Sequence, residues 1–144
     1  MAANTIKQSC GALIYCTNTG RYLFLLRSNG KFDNTWGLVG GKIEPGETIS
    51  QGLFREIGEE LGGEIRDAKI LPIEQYTSDN NKFIYHTFLI KVDEEFTPIL
   101  NREHKGYCWV PIDCLPSPLH PGVGRSFKFN HILKKIKVLE QVKD

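Results

Sequence analysis

Apolar and polar positions divide this chain into segments of two different periods. Residues 8–17 are rich in small and β-forming side chains and read as a strand, Thr17-Asn18-Thr19-Gly20 is a turn by its residue chemistry, and RYLFLLR (21–27) returns as a second strand, so the spacing predicts a hairpin. A polar loop follows over 28–35 with Gly30 and Asn34, then a short apolar stretch, Trp36 to Val39, that ends in Gly40-Gly41. Further on, 65–76 and 81–92 are strand-like runs on either side of the turn Ser78-Asp79-Asn80-Asn81. In the second run Phe83, Tyr85, Thr87 and Leu89 alternate with Ile84, His86, Phe88 and Ile90, so both faces are largely apolar, the pattern of a strand covered on both sides. Residues 106–110 read as one more short strand, and 111–115 as a turn or a single helical turn.

Two segments switch to the helical period. Thr48-Ile49-Ser50-Gln51 matches a capping box, with Thr at the cap and Gln three residues on. Ile49, Leu53, Ile57 and Leu61 then form one apolar stripe, and Gly62-Gly63 stops the helix because glycine enters the left-handed conformation cheaply. After Pro116, Pro118 and Pro121, a closing amphipathic helix is marked by Phe129, Ile132, Leu133, Ile136 and Leu139, with Lys134, Lys135 and Lys137 on its solvated face. Strands, helix, strands, helix is the order of an α+β or three-layer sandwich.

With 144 residues and no repeat or linker-like break, one domain over 1–144 is expected, large enough for a core without staples. The balance of 18 basic and 17 acidic residues, net +1, supplies no general electropositive face, so no DNA partner is expected. No apolar run approaches the ~18 residues of a membrane span, and MAANTIKQSC lacks the apolar region of a secretory leader. Cys10, Cys16, Cys108 and Cys114 form no metal-type pair and are expected as buried thiols in a reducing, cytoplasmic setting.

Candidate chemistry concentrates in GGKIEPGETISQGLFREIGEELGG, residues 40–63. Gly40-Gly41 and Gly46 make a loop able to bring backbone groups close to a ligand. At ~100° per residue, Glu56, Glu59 and Glu60 fall within an arc of about 100° beside the apolar stripe. Carboxylates crowded there repel one another and lose hydration, so at least one should have a raised pKa unless a hard divalent cation such as Mg²⁺ compensates them. Arg55 can neutralise part of the cluster or pair with Glu47 across the loop. The helix taken alone fits a solvated face with an Arg55–Glu59 pair one turn apart equally well. The joint spacing of glycine, Glu47 and Arg55-Glu56-Ile57-Gly58-Glu59-Glu60-Leu61-Gly62 is what coincidence explains poorly.

This stretch resembles the Nudix box, G-x5-E-x7-R-E-U-x-E-E-x-G-U, where U is a bulky aliphatic. Every fixed position from Gly41 to Gly62 matches, while Gly63 stands in the last U position and Val39 where many members have proline. Glu103-His104 ahead of Trp109-Val110 is similar to a further segment common in the family. The resemblance implies a Nudix αβα sandwich around a central mixed β-sheet, with a catalytic loop–helix–loop (box 41–63) and a C-terminal amphipathic helix. It implies metal-dependent hydrolysis of the pyrophosphate linkage of a nucleoside diphosphate derivative: a triphosphate, ADP-ribose, nucleotide sugar or dinucleoside polyphosphate.

Carried over by position, the Gly40 carbonyl and Glu56, Glu59 and Glu60 would hold Mg²⁺ or Mn²⁺, and Glu47 with Arg55 would be a structural ion pair. Either Glu56 or Glu103 would be the general base; Glu103 beside Arg102 and Lys105 also reads as a solvated loop residue, and His104 as a structural or substrate-side contact. Among aromatic residues, Phe32, Tyr76, Tyr85, Tyr107 and Trp109 are candidates for base stacking, and Arg27, Lys42, Lys82 and Arg125 for phosphate contacts; core and surface roles compete for each. The foremost candidates for substrate binding are Arg27, Lys42, Tyr85 and Arg125. The run 118–125 is read as either a rigid connector or a segment closing over the substrate. A small-molecule nucleotide is the expected partner, with a homodimer admitted. An RNA 5′ end is disfavoured by the missing basic stripe, and a non-catalytic nucleotide-sensing module is disfavoured by the complete carboxylate set.

Overall fold

The computed structural model describes residues 6–63, 65 and 68–143. Residues 1–5, on which part of the leader reading rests, and Arg66 and Asp67 of the expected strand lie outside them. The hairpin forms as its pattern demands: β1 (Lys7–Cys16) and β2 (Arg21–Arg27) run antiparallel with Tyr15 opposite Tyr22. Two short strands follow, β3 (Trp36–Gly37) against β2 and β4 (Val39–Lys42) against the first half of β1. The capping-box helix is α1 (Ile49–Leu61), then come β5 (Ile70–Thr77), β6 (Phe83–Val92), β7 (His104–Val110), α2 (Pro121–Phe127) and α3 (Asn130–Glu140).

The seven strands make one mixed sheet. β6 lies parallel to β1 in unbroken register, from Lys7 opposite Phe83 to Cys16 opposite Val92. A parallel pair requires a crossover, and α1 is carried in it. β5 and β7 complete the sheet by antiparallel pairing with β6 and β2.

Alternation along β1 divides the core. Cys10, Ala12, Ile14 and Cys16 face α1 and meet its buried Leu53, Ile57 and Leu61, while Leu13 faces the other way with Tyr22, Phe24 and Leu89 against Ile132 and Ile136 of α3. The sheet is thus covered on both sides. In α1, Gln51 N–H donates to Thr48 Oγ1 (3.1 Å) and Thr48 N–H donates to Gln51 Oε1 (2.8 Å), and Gly62 closes the helix with φ +90°.

Several expectations are corrected. Gly40-Gly41 is not an open loop: both residues pair with β1, and Gly40 (φ +155°) lies where a Cβ would run into the Cys10 carbonyl oxygen. The strand expected from 65 begins at Ile70, where pairing with Ile90 starts. The strand expected from Gly106 begins two residues earlier, at His104. The run 118–125 contributes most of α2, and the closing helix starts at Asn130, leaving Phe129 exposed at its cap instead of in the stripe. Of the four cysteines only Cys10 and Cys16 are buried; Cys108 is half-buried and Cys114 is exposed in the turn after β7. Among the described residues, no helix is long and apolar enough to cross a membrane.

Candidate active site

One edge of α1 faces the glycine-bearing β4, and a cleft of about 650 Å³ opens between them, bounded on its far side by Glu103 and His104 at the start of β7. Arg55 organises its floor. Its Nε and Nη2 donate to the two Glu47 oxygens (2.7 and 3.0 Å), and Nη2 also donates to the Lys42 carbonyl (2.8 Å). Nη1 donates to Glu56 Oε1 (3.0 Å) and approaches Glu59 (3.4 Å). A single guanidinium thus ties β4, the loop before α1 and the acidic face together, in the fork geometry that suits arginine. Both expected pairings, with Glu47 across the loop and with Glu59 one turn on, are present.

The carboxylates differ in environment. Glu60 is 2 % exposed, and its Oε1 accepts the Gly40 N–H at 2.8 Å. Burial pushes its carboxyl up to about 9 against that hydrogen bond, and neighbouring Glu103 and Glu56 add to the rise. Glu56 lies against Gly41 and is also raised, by burial first, with Arg55 opposing. Glu47 moves the other way, held low by its hydrogen bonds from Arg55 and from the Glu44 N–H. Glu59 is largely solvent-exposed, turned toward Arg55.

The ligand atoms that approach one another most closely are those of Glu60, Glu103 and His104, all within 4.8 Å. His104 is buried at the base of the cleft, its Nδ1 without a hydrogen-bond partner and 3.9 Å from Glu60 Oε2. Burial and then the Arg27 charge hold this imidazole down at about 4. Crowded, half-desolvated carboxyls beside an orphaned ring nitrogen fit a divalent cation, which lets adjacent carboxylates stay ionised and supplies the missing partner.

A second cavity of about 720 Å³ adjoins the cleft and shares Arg27, Lys31, Gly40, Gly41 and Lys42 with it. All four foremost substrate candidates, Arg27, Lys42, Tyr85 and Arg125, line it. Tyr85 lies with its hydroxyl over Gly11, where any Cβ would collide with it, and burial raises its phenol. The Arg125 guanidinium sits 4.1 Å above the Tyr76 ring, near Glu74 Oε1 (3.4 Å), which also accepts from Ser126 Oγ (2.6 Å). Phe32 meets His120 edge-on at 4.6 Å, both lining the same cavity. Trp109 and Tyr107 do not line it: Trp109 donates to the Phe96 carbonyl (3.0 Å) in the α1-side core, and Lys82 lines neither cavity. Glu74 was not singled out by the sequence, and His120 only as part of the run 118–125. They become lining residues only because α2 docks over β5, a contact with no local signature.

A model of the NUDIX domain matches residues 7–130. The nucleoside triphosphatase NudI of Escherichia coli O1:K1 / APEC is 31% identical over 129 residues, spanning 81% of this chain and 92% of that protein. Its Escherichia fergusonii counterpart is 35% identical over 107 residues, 65% of this chain and 74% of that one. Among solved structures, a MutT NUDIX hydrolase from Burkholderia pseudomallei superposes with a TM-score of 0.66 at 26% identity, covering 86% of this chain and 97% of the other. The Nudix hydrolase RenU of M. smegmatis shares the fold (TM-score 0.77, 20% identity) over 100% of this chain and 92% of its own. The match runs through both halves of the sheet as well as the box, and the chain belongs to the Nudix family of pyrophosphohydrolases.

Proposed function

We propose that this enzyme, acting as one domain, hydrolyses the pyrophosphate linkage of a nucleoside diphosphate derivative, with a nucleoside triphosphate the first candidate. The observation that carries the reading is the junction of the two cavities: a carboxylate-lined cleft and an aromatic-lined cavity meet at Arg27, Lys31 and Lys42. A nucleotide spanning that junction would lay its phosphates along the three cations and its nucleoside among Tyr76, Tyr85 and Arg125. The name of the NudI relatives, nucleoside triphosphatase, favours a triphosphate.

Glu56, Glu59 and Glu60 with the Gly40 carbonyl would hold Mg²⁺ or Mn²⁺. When bound, such an ion screens the polyphosphate charge and lowers the pKa of a coordinated water. Arg55 keeps Glu56 and Glu59 in position while docked on Glu47 and the Lys42 carbonyl. Gly40 N–H fixes the orientation of Glu60. Glu103 takes the proton from the attacking water, because it is exposed at the cleft mouth and makes no ion pair with Arg55. Arg27 and Lys42 steady the phosphates, and positioning supplies most of the acceleration.

Phosphate or pyrophosphate release is measured from a panel of nucleoside triphosphates, ADP-ribose, nucleotide sugars, dinucleoside polyphosphates and 5′-triphosphate RNA, with and without Mg²⁺. Release from at least one nucleotide that stops in EDTA is expected, and Glu59→Gln and Glu60→Gln should each lower kcat by at least ~10²-fold. Near-normal turnover of both variants at saturating Mg²⁺ refutes the carboxylate assignment. A Glu103→Gln variant that keeps the wild-type rate and pH profile moves the base to Glu56.

A further inference from the structure

We propose that His104 Nδ1 is itself a ligand of the divalent cation, so that Glu60 and His104 give the ion a mixed nitrogen–oxygen shell that favours first-row transition ions such as Mn²⁺ over Mg²⁺. This rests on reading the cleft as cation-binding, and adds to it a nitrogen donor that the carboxylate box does not contain.

The chain has four histidines. His86 Nε2 is bonded to Gln8 Oε1 (2.8 Å). His120 Nδ1 accepts from the Gly122 N–H (3.0 Å), and His131 is exposed on α3. His104 differs from all three. Its side chain is 3% exposed, and Nδ1 is buried with no hydrogen-bond partner among the described residues. Buried ring nitrogens are ordinarily paired, so an orphan aimed into a cluster of carboxylates calls for a ligand.

Distances narrow the choice of ligand. Glu60 Oε2 stands 3.9 Å from His104 Nδ1, too far for a hydrogen bond between them. Two metal–ligand bonds of about 2.0–2.2 Å placed end to end span slightly more than that gap. One ion therefore touches both atoms without moving either side chain. Glu60 cannot swing away, because its other oxygen accepts the Gly40 N–H. His104 is fixed from the opposite side by its place at the start of β7, opposite Arg27 of β2. Glu103, exposed on the neighbouring position with an oxygen within 4.8 Å of both, faces the same point from the solvent side and keeps its role as the base.

Donor chemistry sets the preference. Mg²⁺ demands oxygen ligands and keeps several waters, whereas imidazole suits the later divalent ions and affinity rises from Mn²⁺ along the first row. A buried neutral nitrogen therefore adds little for Mg²⁺ and much for Mn²⁺ or Co²⁺.

The test uses Mn²⁺ and the intact protein. Pulsed EPR of bound Mn²⁺ should show a ¹⁴N coupling of imidazole type, replaced by a ¹⁵N signal when histidine is isotopically labelled. His104→Gln should abolish the coupling and weaken Mn²⁺ binding by at least about tenfold, with Mg²⁺ binding changed much less. The labelled wild-type measurement needs no variant, so a His104→Gln chain that fails to fold leaves the proposal exposed to refutation. Mn²⁺ bound without any nitrogen coupling overturns this inference and leaves the carboxylate site standing. A coupling that survives in His104→Gln overturns it as well. No Mn²⁺ binding, even with a nucleotide present, overturns both this inference and the cation-binding reading beneath it.

Discussion

Gly41→Ala isolates the position of one carboxylate from everything else in the site. Gly41 sits in β4 opposite Cys10, with φ outside the left-handed region, so alanine imposes no backbone strain. A Cβ there would lie 2.6 Å from the Glu56 carboxyl carbon and 2.7 Å from each of its oxygens, whereas ordinary contact begins at 3.4 Å. The Glu56 carboxylate must therefore retreat by about 0.8 Å, the difference between those distances. Its hydrogen bond from Arg55, 3.0 Å in the native arrangement, would then be stretched beyond useful range. Arg55 does not follow, because Glu47 and the Lys42 carbonyl hold it at 2.7 and 2.8 Å. Misplacing a reacting group by about 1 Å can reduce rate ~10²-fold, which corresponds to about 2.7 kcal/mol of transition-state stabilisation. Steady-state kinetics on the best substrate of the panel, together with a thermal melt, make the assay. The expected outcome is a kcat/KM lower by about two orders of magnitude with Tm nearly unchanged. An unaltered kcat/KM refutes the argument that Glu56 acts from a fixed position, and a collapse of Tm in step with activity places the effect in the fold instead.

Gly58 is the matching control: it is exposed in α1, a Cβ added there would meet nothing within 4 Å, and Gly58→Ala should stabilise by about 0.5–1 kcal/mol without changing kcat/KM. A melt shows this as a Tm gain of about 2–3 °C for a domain of this size, and a loss of Tm contradicts it. The low pKa of His104, about 4 against an ordinary 6.5, means the unfolded chain binds a proton there that the folded one refuses, so this residue's contribution to the stability of metal-free protein is lost as pH falls through that window, against the opposite slope of the raised Glu60 carboxyl. The full effect is about 3 kcal/mol at ~1.4 kcal/mol per pH unit. In EDTA the urea midpoint of the native protein should fall relative to that of His104→Gln as pH drops from 6.5 toward 4, the carboxyl contributions being common to both; an identical pH dependence in the variant refutes it.

What the sequence made legible was local. The capping box of α1, the stripe from Leu53 to Leu61 and the stop at Gly62 are each decided within a few residues, and each appears where the pattern puts it. The raised pKa expected among Glu56, Glu59 and Glu60 also follows from helical spacing, and it falls on Glu60 and Glu56, the two nearest the buried stripe. Illegible features depend on distant partners. Residues 121–127 contain two glycines and no apolar stripe; α2 is fixed by its His120 cap, by Arg125 and Ser126 reaching Glu74, and by Phe127 set edge-on to Phe24 at 6.4 Å. Gly40-Gly41 reads as a loop by composition and becomes strand because β1 offers an unpaired edge there. Cys114 stays exposed because the chain turns at Asp113 and leaves the sheet, something that apolar neighbours in sequence do not reveal.

The parallel union of β1 and β6 has a consequence for biosynthesis. Its paired residues, such as Lys7 and Phe83, are separated by 76 positions, and the whole glutamate-bearing helix lies in the span between them. A polypeptide still emerging from the ribosome displays every residue of the box well before the strand that anchors its first segment exists, and before Glu103 and His104 have been made. Long closures of this kind slow folding, so the hydrolase is expected to be inert until synthesis has passed β7, sparing the cell's nucleotides from a half-built copy.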